Sequence, residues 1–191
     1  MRSLEDWELV ALAKQGNNEA FDNLIQRYKN QIYTLCFYLT RDTHNAEDLV
    51  QETFIRIYKN INRIDPKAQF KTFIFTIARN LALNQLRNDQ RKKNFLVRLF
   101  ERWNYNHKEK NNSPSSLTYS ESKELIDIVQ ECMLELSPEY KEILLLRETQ
   151  GLDYESIAEV LGCRIGTVRS RLARARAELR KKIKEKGVLI K

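Results

Sequence analysis

Leu152-Asp-Tyr-Glu-Ser-Ile-Ala-Glu-Val-Leu-Gly-Cys-Arg-Ile-Gly-Thr-Val-Arg-Ser-Arg-Leu-Ala-Arg-Ala-Arg-Ala-Glu-Leu-Arg180 is the stretch on which the fold turns. Asp153 stands where an N-cap belongs, and its carboxylate can accept from the orphan N–H groups of the next turn. Ile157, Ala158 and Leu161 then make one apolar face, and Gly162 supplies the left-handed residue that ends a helix. Ile165, Val168, Leu172, Ala175 and Leu179 recur every three or four residues and predict a second helix. Two short helices joined by a glycine turn, with a small alanine where they cross, spell a helix-turn-helix. Opposite the second helix's apolar stripe lie Gly166, Ser170, Ala173 and Ala177, flanked by Arg169 and Arg174. A ridge of small residues edged by arginines can enter a major groove while guanidiniums reach base edges and phosphates. An ordinary solvated basic helix would share the charge but not the turn and the packing pattern.

The formal charge of +7 over 191 residues is unevenly placed. Residues 161–191 hold eleven Lys/Arg against two Glu, and residues 87–110 hold eight against three acids, so the rest of the chain is net acidic. Two basic segments on an acidic chain point to a polyanion partner and to a separate surface for something basic. A membrane surface also attracts cations, but the ridge on 164–180 lacks the bulky apolar side chains that insertion needs. Cys36, Cys132 and Cys163 are odd in number and widely spaced, as expected of reduced, buried thiols in a cytosolic protein. His44 and His107 stand alone, so no metal or other cofactor is expected. No signal-like or bilayer-spanning apolar run appears, and a soluble, cytoplasmic chain is the expectation.

From the N-terminus, Ser3 with Asp6 resembles a capping box that opens a helix closing near Gly16. Phe21, Leu24, Ile25, Tyr28, Ile32, Leu35, Cys36 and Leu39 keep helical spacing in the next segment. A third helix begins near Asn45 and carries Ala46, Leu49, Val50, Phe54, Ile57 and Ile61 inward, with Glu47, Asp48, Gln51, Glu52 and Arg56 outward. Asp65-Pro66 breaks it, because the residue before proline is driven out of the helical region. In a fourth helix, at 69–93, Phe70, Phe73, Ile74, Ile77 and Leu81 form a core stripe. Its opposite face holds Thr72, Phe75, Thr76, Arg79, Asn80, Leu83 and Arg87, a surface suited either to bases and phosphates or to another helix. Residues 94–119 are polar and read as a linker, although Phe95-Leu96-Val97 and Leu99-Phe100 could extend the preceding helix. Helix resumes near Ser120, and Ser137-Pro138 caps another whose apolar run is Ile143 to Leu146. The architecture read from the sequence is all-α: two helical domains at 1–93 and 120–191, joined by a flexible linker. No phosphate loop, nucleophile elbow or catalytic triad is present, so no enzyme is indicated.

Three segments together carry a family resemblance: Asn45-Ala-Glu-Asp-Leu-Val-Gln-Glu-Thr-Phe54, Phe70-Lys-Thr-Phe-Ile-Phe-Thr-Ile-Ala-Arg-Asn-Leu-Ala-Leu-Asn84 and Ser156-Ile-Ala-Glu-Val-Leu-Gly-Cys-Arg-Ile-Gly-Thr-Val-Arg-Ser-Arg171. In this order they resemble the extracytoplasmic-function (group 4) sigma factors, promoter-specificity subunits of bacterial RNA polymerase. The resemblance implies that Asp48, Gln51, Glu52 and Phe54 dock on the clamp helices of the β′ subunit, and that the β subunit is also contacted. It implies that Lys71, Phe75, Arg79, Asn80, Asn84 and Arg87 serve the −10 element, with Asn80 and Asn84 at base-contacting positions. Arg164, Thr167, Arg169, Ser170, Ala173 and Arg174 would read the −35 element. Promoter DNA, core polymerase and an anti-sigma factor are the implied partners. Phe73 stands where the family usually has Trp, and Asn84 where it often has Asp; the first keeps an aromatic anchor, the second bears on −10 preference. The competing readings are a free-standing helix-turn-helix regulator that needs no core polymerase, and an interaction protein that sequesters a partner.

Overall fold

Helices make up every regular element of the computed structural model, which describes residues 4–64, 69–101 and 121–187. Helix α1 spans Asp6–Lys14 and begins with the Glu8 carboxylate accepting the Glu5 backbone N–H at 2.6 Å. Ser3, the expected cap, lies outside the described residues. Asp6 is instead the first helical residue, where it holds the Arg27 guanidinium and the Tyr28 hydroxyl of the next helix. Helix α2 (Asn18–Thr40) is capped by Asn17, and α3 (Thr43–Lys59) by Asp42, whose side chain accepts the Asn45 N–H at 2.7 Å. α3 thus starts slightly before the expected Asn45. A short 3₁₀ turn at Ile61–Arg63 follows, and the Asp65-Pro66 break lies outside the described residues.

Helix α4 (Phe70–Glu101) runs beyond its expected end at residue 93. Leu96, Arg98, Leu99 and Glu101 in its last turns are good helix formers, which favours helix without a sustained amphipathic period. Residues 94–101 are therefore helix and not linker; linker residues 102–119 lie outside the described residues. The C-terminal half comprises α5 (Glu121–Glu135), α6 (Pro138–Leu144), α7 (Tyr154–Leu161) and α8 (Ile165–Glu185). Between α6 and α7 the chain widens into a π-helical turn at Leu145–Thr149.

The N-terminal helices close around Leu24, Ile32, Leu35, Ile57 and Ile74, each fully buried, with Trp7 and Tyr28 edge-on to Phe70 at 5.8 and 5.7 Å. The C-terminal helices close around Ile143, Leu146, Ile157 and Leu172. Helix α6 links the two centres: every residue from Lys141 to Leu146 is at most 5% exposed. A segment buried on all sides must be covered on all sides, and α6 meets α8 on one flank and α2 on the other, while α7 lies on α4. Buried residues from both halves consequently form one continuous apolar cluster.

Candidate nucleic-acid interface

The Asp153 carboxylate accepts the Ser156 N–H at 2.7 Å, and that bond holds its carboxyl below the usual carboxylate range. Gly162, at φ 63°, turns the chain through the left-handed region and launches α8 across α7. With Val168, Leu172 and Ala175 buried, the opposite ridge stands free: Arg164, Gly166, Arg169, Ser170, Ala173, Arg174 and Ala177 are exposed, and Thr167 is half-buried. Neighbouring cations are turned inward. Arg171 meets Glu139 at 3.6 Å, Arg176 meets Glu148 at 2.6 Å, and Lys182 meets Glu135 at 3.0 Å. Among the described residues no ion pair engages Arg164, Arg169 or Arg174. The helix thus sorts its cations, keeping structural ones at its flanks and leaving free ones on the ridge.

Helix α4 sorts its residues differently. Asn80, Asn84 and Arg87 are exposed and, at helical spacing, share one stripe. Lys71, Phe75 and Arg79 lie on another side, where the C-terminal half covers them. Phe75 is fully buried, so of the two uses read for this face, bases or another helix, Phe75 serves packing against protein. Phe73, expected in the core stripe, is only partly buried, its ring 6.4 Å from that of Phe70. Arg79 Nε donates to Glu142 Oε1 at 2.5 Å, and Lys71 Nζ donates to the Gln150 carbonyl. The physical reason is that α6 and α7 pack where a free face was expected.

On α3, Asp48 and Gln51 are exposed and Glu52 is half-buried, bonded to Arg56 Nε at 2.6 Å. Phe54 does not share this face: it is 6% exposed and packs edge-on against Phe21 at 6.4 Å. The apolar residue that does share it is Ile55, 44% exposed, at i+4 from Gln51 and i+7 from Asp48. The same spacing, applied to the sequence, would have found it. A groove of about 580 Å³ between α3 and α4 is lined by Asp48, Glu52, Arg56, Asn84 and Arg87, so the acidic face of α3 adjoins the amide stripe of α4.

Three buried groups shape the electrostatics. Burial raises the Glu142 carboxyl, and the adjacent Arg79 opposes that rise. Burial, reinforced by Arg41, brings Lys141 down to about 8. Burial pushes the Cys36 thiol up to about 12, leaving it unreactive. Among the described residues no cluster of three or more His, Cys, Asp or Glu could hold a metal ion, and no helix is long and apolar enough to cross a membrane.

Two family models match the chain: Sigma-70 region 2 over residues 24–92 and Sigma-70, region 4 over residues 126–179. Both correspond to the helical groups just described. The ECF RNA polymerase sigma factor SigW of Bacillus subtilis is 30% identical, covering 92% of this chain and 95% of that protein. The ECF RNA polymerase sigma-E factor of Haemophilus influenzae is 36% identical, covering 94% and 96% respectively. The sigma factor RpoE, solved in complex with the anti-sigma factor NepR from Bartonella quintana, shares the fold at a TM-score of 0.68 and 24% identity, over 86% of this chain and 96% of that one. CnrH, solved in complex with the cytosolic domain of CnrY, does so at 0.68 and 21%, over 94% and 97%. A paired helical bundle and helix-turn-helix with these matches defines a sigma-70-type transcription subunit. The chain belongs to the extracytoplasmic-function sigma factors of RNA polymerase.

Proposed function

We propose that this chain binds core RNA polymerase and confers promoter specificity, through a region 2-like domain at 1–93 and a region 4-like domain at 120–191. The carrying observation is the free ridge of α8, where Arg164, Arg169 and Arg174 stand exposed while the neighbouring cations are held by glutamates. A basic helix that existed only to cover its own domain would have no reason to keep these three apart. On this reading Arg169, Ser170, Ala173 and Arg174 read the −35 element in the major groove. Asn80, Asn84 and Arg87 serve the −10 element from their exposed stripe, and an unstacked base held there offsets a few kcal/mol of unstacking. Asp48, Gln51 and Glu52, with Ile55 in place of Phe54, dock on the β′ clamp helices.

The protein on this account does no covalent chemistry and works in the cytoplasm beside the polymerase. An anti-sigma factor is the fitting antagonist, and we place it on the apolar groove of about 490 Å³ lined by Tyr33, Phe37, Val129, Met133, Leu145 and Leu179, which lies across both halves. The test is run-off transcription from a random promoter library with core polymerase, with and without the chain. Enrichment of promoters sharing two motifs, dependent on both proteins, is the expected result. Sequence-specific DNA binding with no core-dependent transcription would favour a free-standing regulator.

A further inference from the structure

We propose that helix α1 is a brace for the −10 face, with Lys14 and Trp7 as positioning residues that grip the two points between which the chain passes from the 3₁₀ turn into α4. The proposal rests on the −10 reading of α4 given above. The Lys14 ammonium donates to the Ile64 carbonyl at 2.8 Å, where the chain leaves the 3₁₀ turn. The Trp7 ring stands edge-on to Phe70, the first residue of α4, at 5.8 Å. Trp7, Val10 and Lys14 follow one another at i, i+3 and i+7, so they share a side of α1. Val10, between the two grips, is 1% exposed. Two helical turns separate Trp7 from Lys14, about 10 Å at roughly 1.5 Å per residue. One short rod thus holds both ends of the passage at once.

Lys14 is not needed by its own helix. A lysine in the last turn ordinarily serves the carbonyls that close the helix. In α1 the Leu12 carbonyl already accepts from the Gln15 and Asn17 N–H groups at 3.0 and 3.1 Å, and the Ala13 carbonyl from Gly16 at 3.0 Å. The Lys14 ammonium instead crosses to a residue 50 positions on. Ile64 is 5% exposed, and a buried carbonyl left without a donor costs free energy, so the bond answers a need on the far side. The brace is itself anchored. The Asp6 carboxylate takes the Arg27 guanidinium and the Tyr28 hydroxyl of α2, and Arg27 also donates to the Leu4 carbonyl at 2.9 Å. Tyr28 in turn meets Phe70 edge-on at 5.7 Å, so α1 and α2 both hold the first residue of α4. The first bond of that helix, from the Phe73 N–H to the Gln69 carbonyl at 3.1 Å, forms directly beyond it. A change of tilt at Phe70 would carry Asn80, Asn84 and Arg87 with it, and a recognition face must be held within about 0.5 Å to work.

The experiment reads Lys14→Met, which keeps the bulk of the side chain and removes the donor, first in the free chain and then in the holoenzyme. In the free chain, hydrogen exchange at the Phe73 amide should quicken about tenfold, or ~1.4 kcal/mol, the size expected of one orphaned carbonyl. The Leu172 amide of α8 should keep its rate. Lys14→Arg should return the Phe73 rate toward wild type, and Trp7→Leu, at the other grip, should quicken it as Lys14→Met does. In the holoenzyme, opening is followed by 2-aminopurine fluorescence in the −10 element of a transcribed promoter. Lys14→Met should open it about tenfold more slowly, with core affinity and −35 duplex affinity unchanged. The loss should be smaller on a promoter with one −10 base pair exchanged, because both changes then disable the same contact. An unchanged Phe73 rate in Lys14→Met with retained helical content overturns the brace; should that variant lose helical content, Lys14→Gln is read by the same criteria. Quickened Phe73 exchange with equal opening losses on the two promoters upholds the brace and contradicts the −10 reading of α4 instead.

Discussion

Helices α8 and α4 both carry arginines and both lie where the family meets DNA, yet they treat those arginines in opposite ways. On α8 the buried stripe of Val168, Leu172 and Ala175 needs only one side of the helix, and the ridge bearing Arg169 and Arg174 is left to solvent. On α4 one side packs on α2 and α3 and another meets α7, and the stripe of Asn80, Asn84 and Arg87 remains outside. The difference follows from neighbours. A helix at the edge of its domain keeps a free face, whereas one at the seam between two halves has the cations on its seam side, here Lys71 and Arg79, answered by protein oxygens.

The largest expected effect falls on neither helix but on docking through α3. Asp48→Lys with Glu52→Lys places like charge against a basic surface, which costs several kcal/mol, so core binding should fall roughly a hundredfold or more. The variant should keep its helical content. Undiminished binding in a pull-down would remove α3 from the docking surface. Next in size is a contrast between arginines. Arg174→Ala should cost about 1–3 kcal/mol at one base pair of the −35 element, in the free chain and in the holoenzyme alike. Arg79→Ala should instead show its loss in stability, because it leaves the buried Glu142 carboxyl without its partner. Equal losses for Arg174→Ala on cognate and scrambled −35 duplexes would reduce that residue to a phosphate contact.

Smaller effects concern how each face is held. Asp153→Ala should lower stability by about 1 kcal/mol through loss of the α7 cap, read as a shift in the urea midpoint. Because the folded carboxyl lies below its ordinary value, the contribution is present above the usual carboxylate range and is lost as pH falls through the folded pKa. Lys141, on the seam, gives a slope of the same sign at higher pH. Its folded value is about 8 against an ordinary 10.5, so the unfolded chain binds more protons between them and stability rises with pH across that window. Lys141→Met should abolish that slope in urea titrations between pH 8 and 10.

The helix-turn-helix was legible because its signals are local: a cap at Asp153, a left-handed Gly162 and a single buried stripe. Helix existence was likewise readable along α2, α3 and the first turns of α4. The end of α4 was not, since residues 94–101 are helical by propensity and carry no period. Periodicity placed Phe54 inward, where it lies, and only the role implied by the resemblance set it on the docking face; Phe75 was set on the outer face for a different reason. Periodicity tells which residues share a side but not what that side meets, and a mixed polar and aromatic face serves a protein seam as well as a nucleic acid. Glu142 gave one unused hint: a charged residue directly beside the apolar run Ile143–Leu146 needs a partner if the run is buried. The partner, Arg79, is distant in sequence and only the fold brings it there.

The contrast between the two helices is tested most directly by amine labelling read by mass spectrometry, with Lys71 compared against exposed Lys181 and Lys184 in the same molecule. In the free chain, Lys71 should acetylate far more slowly than the two exposed lysines, because its ammonium is tied to the Gln150 carbonyl. A Lys71 rate already equal to that of Lys181 and Lys184 in the free chain would contradict the account.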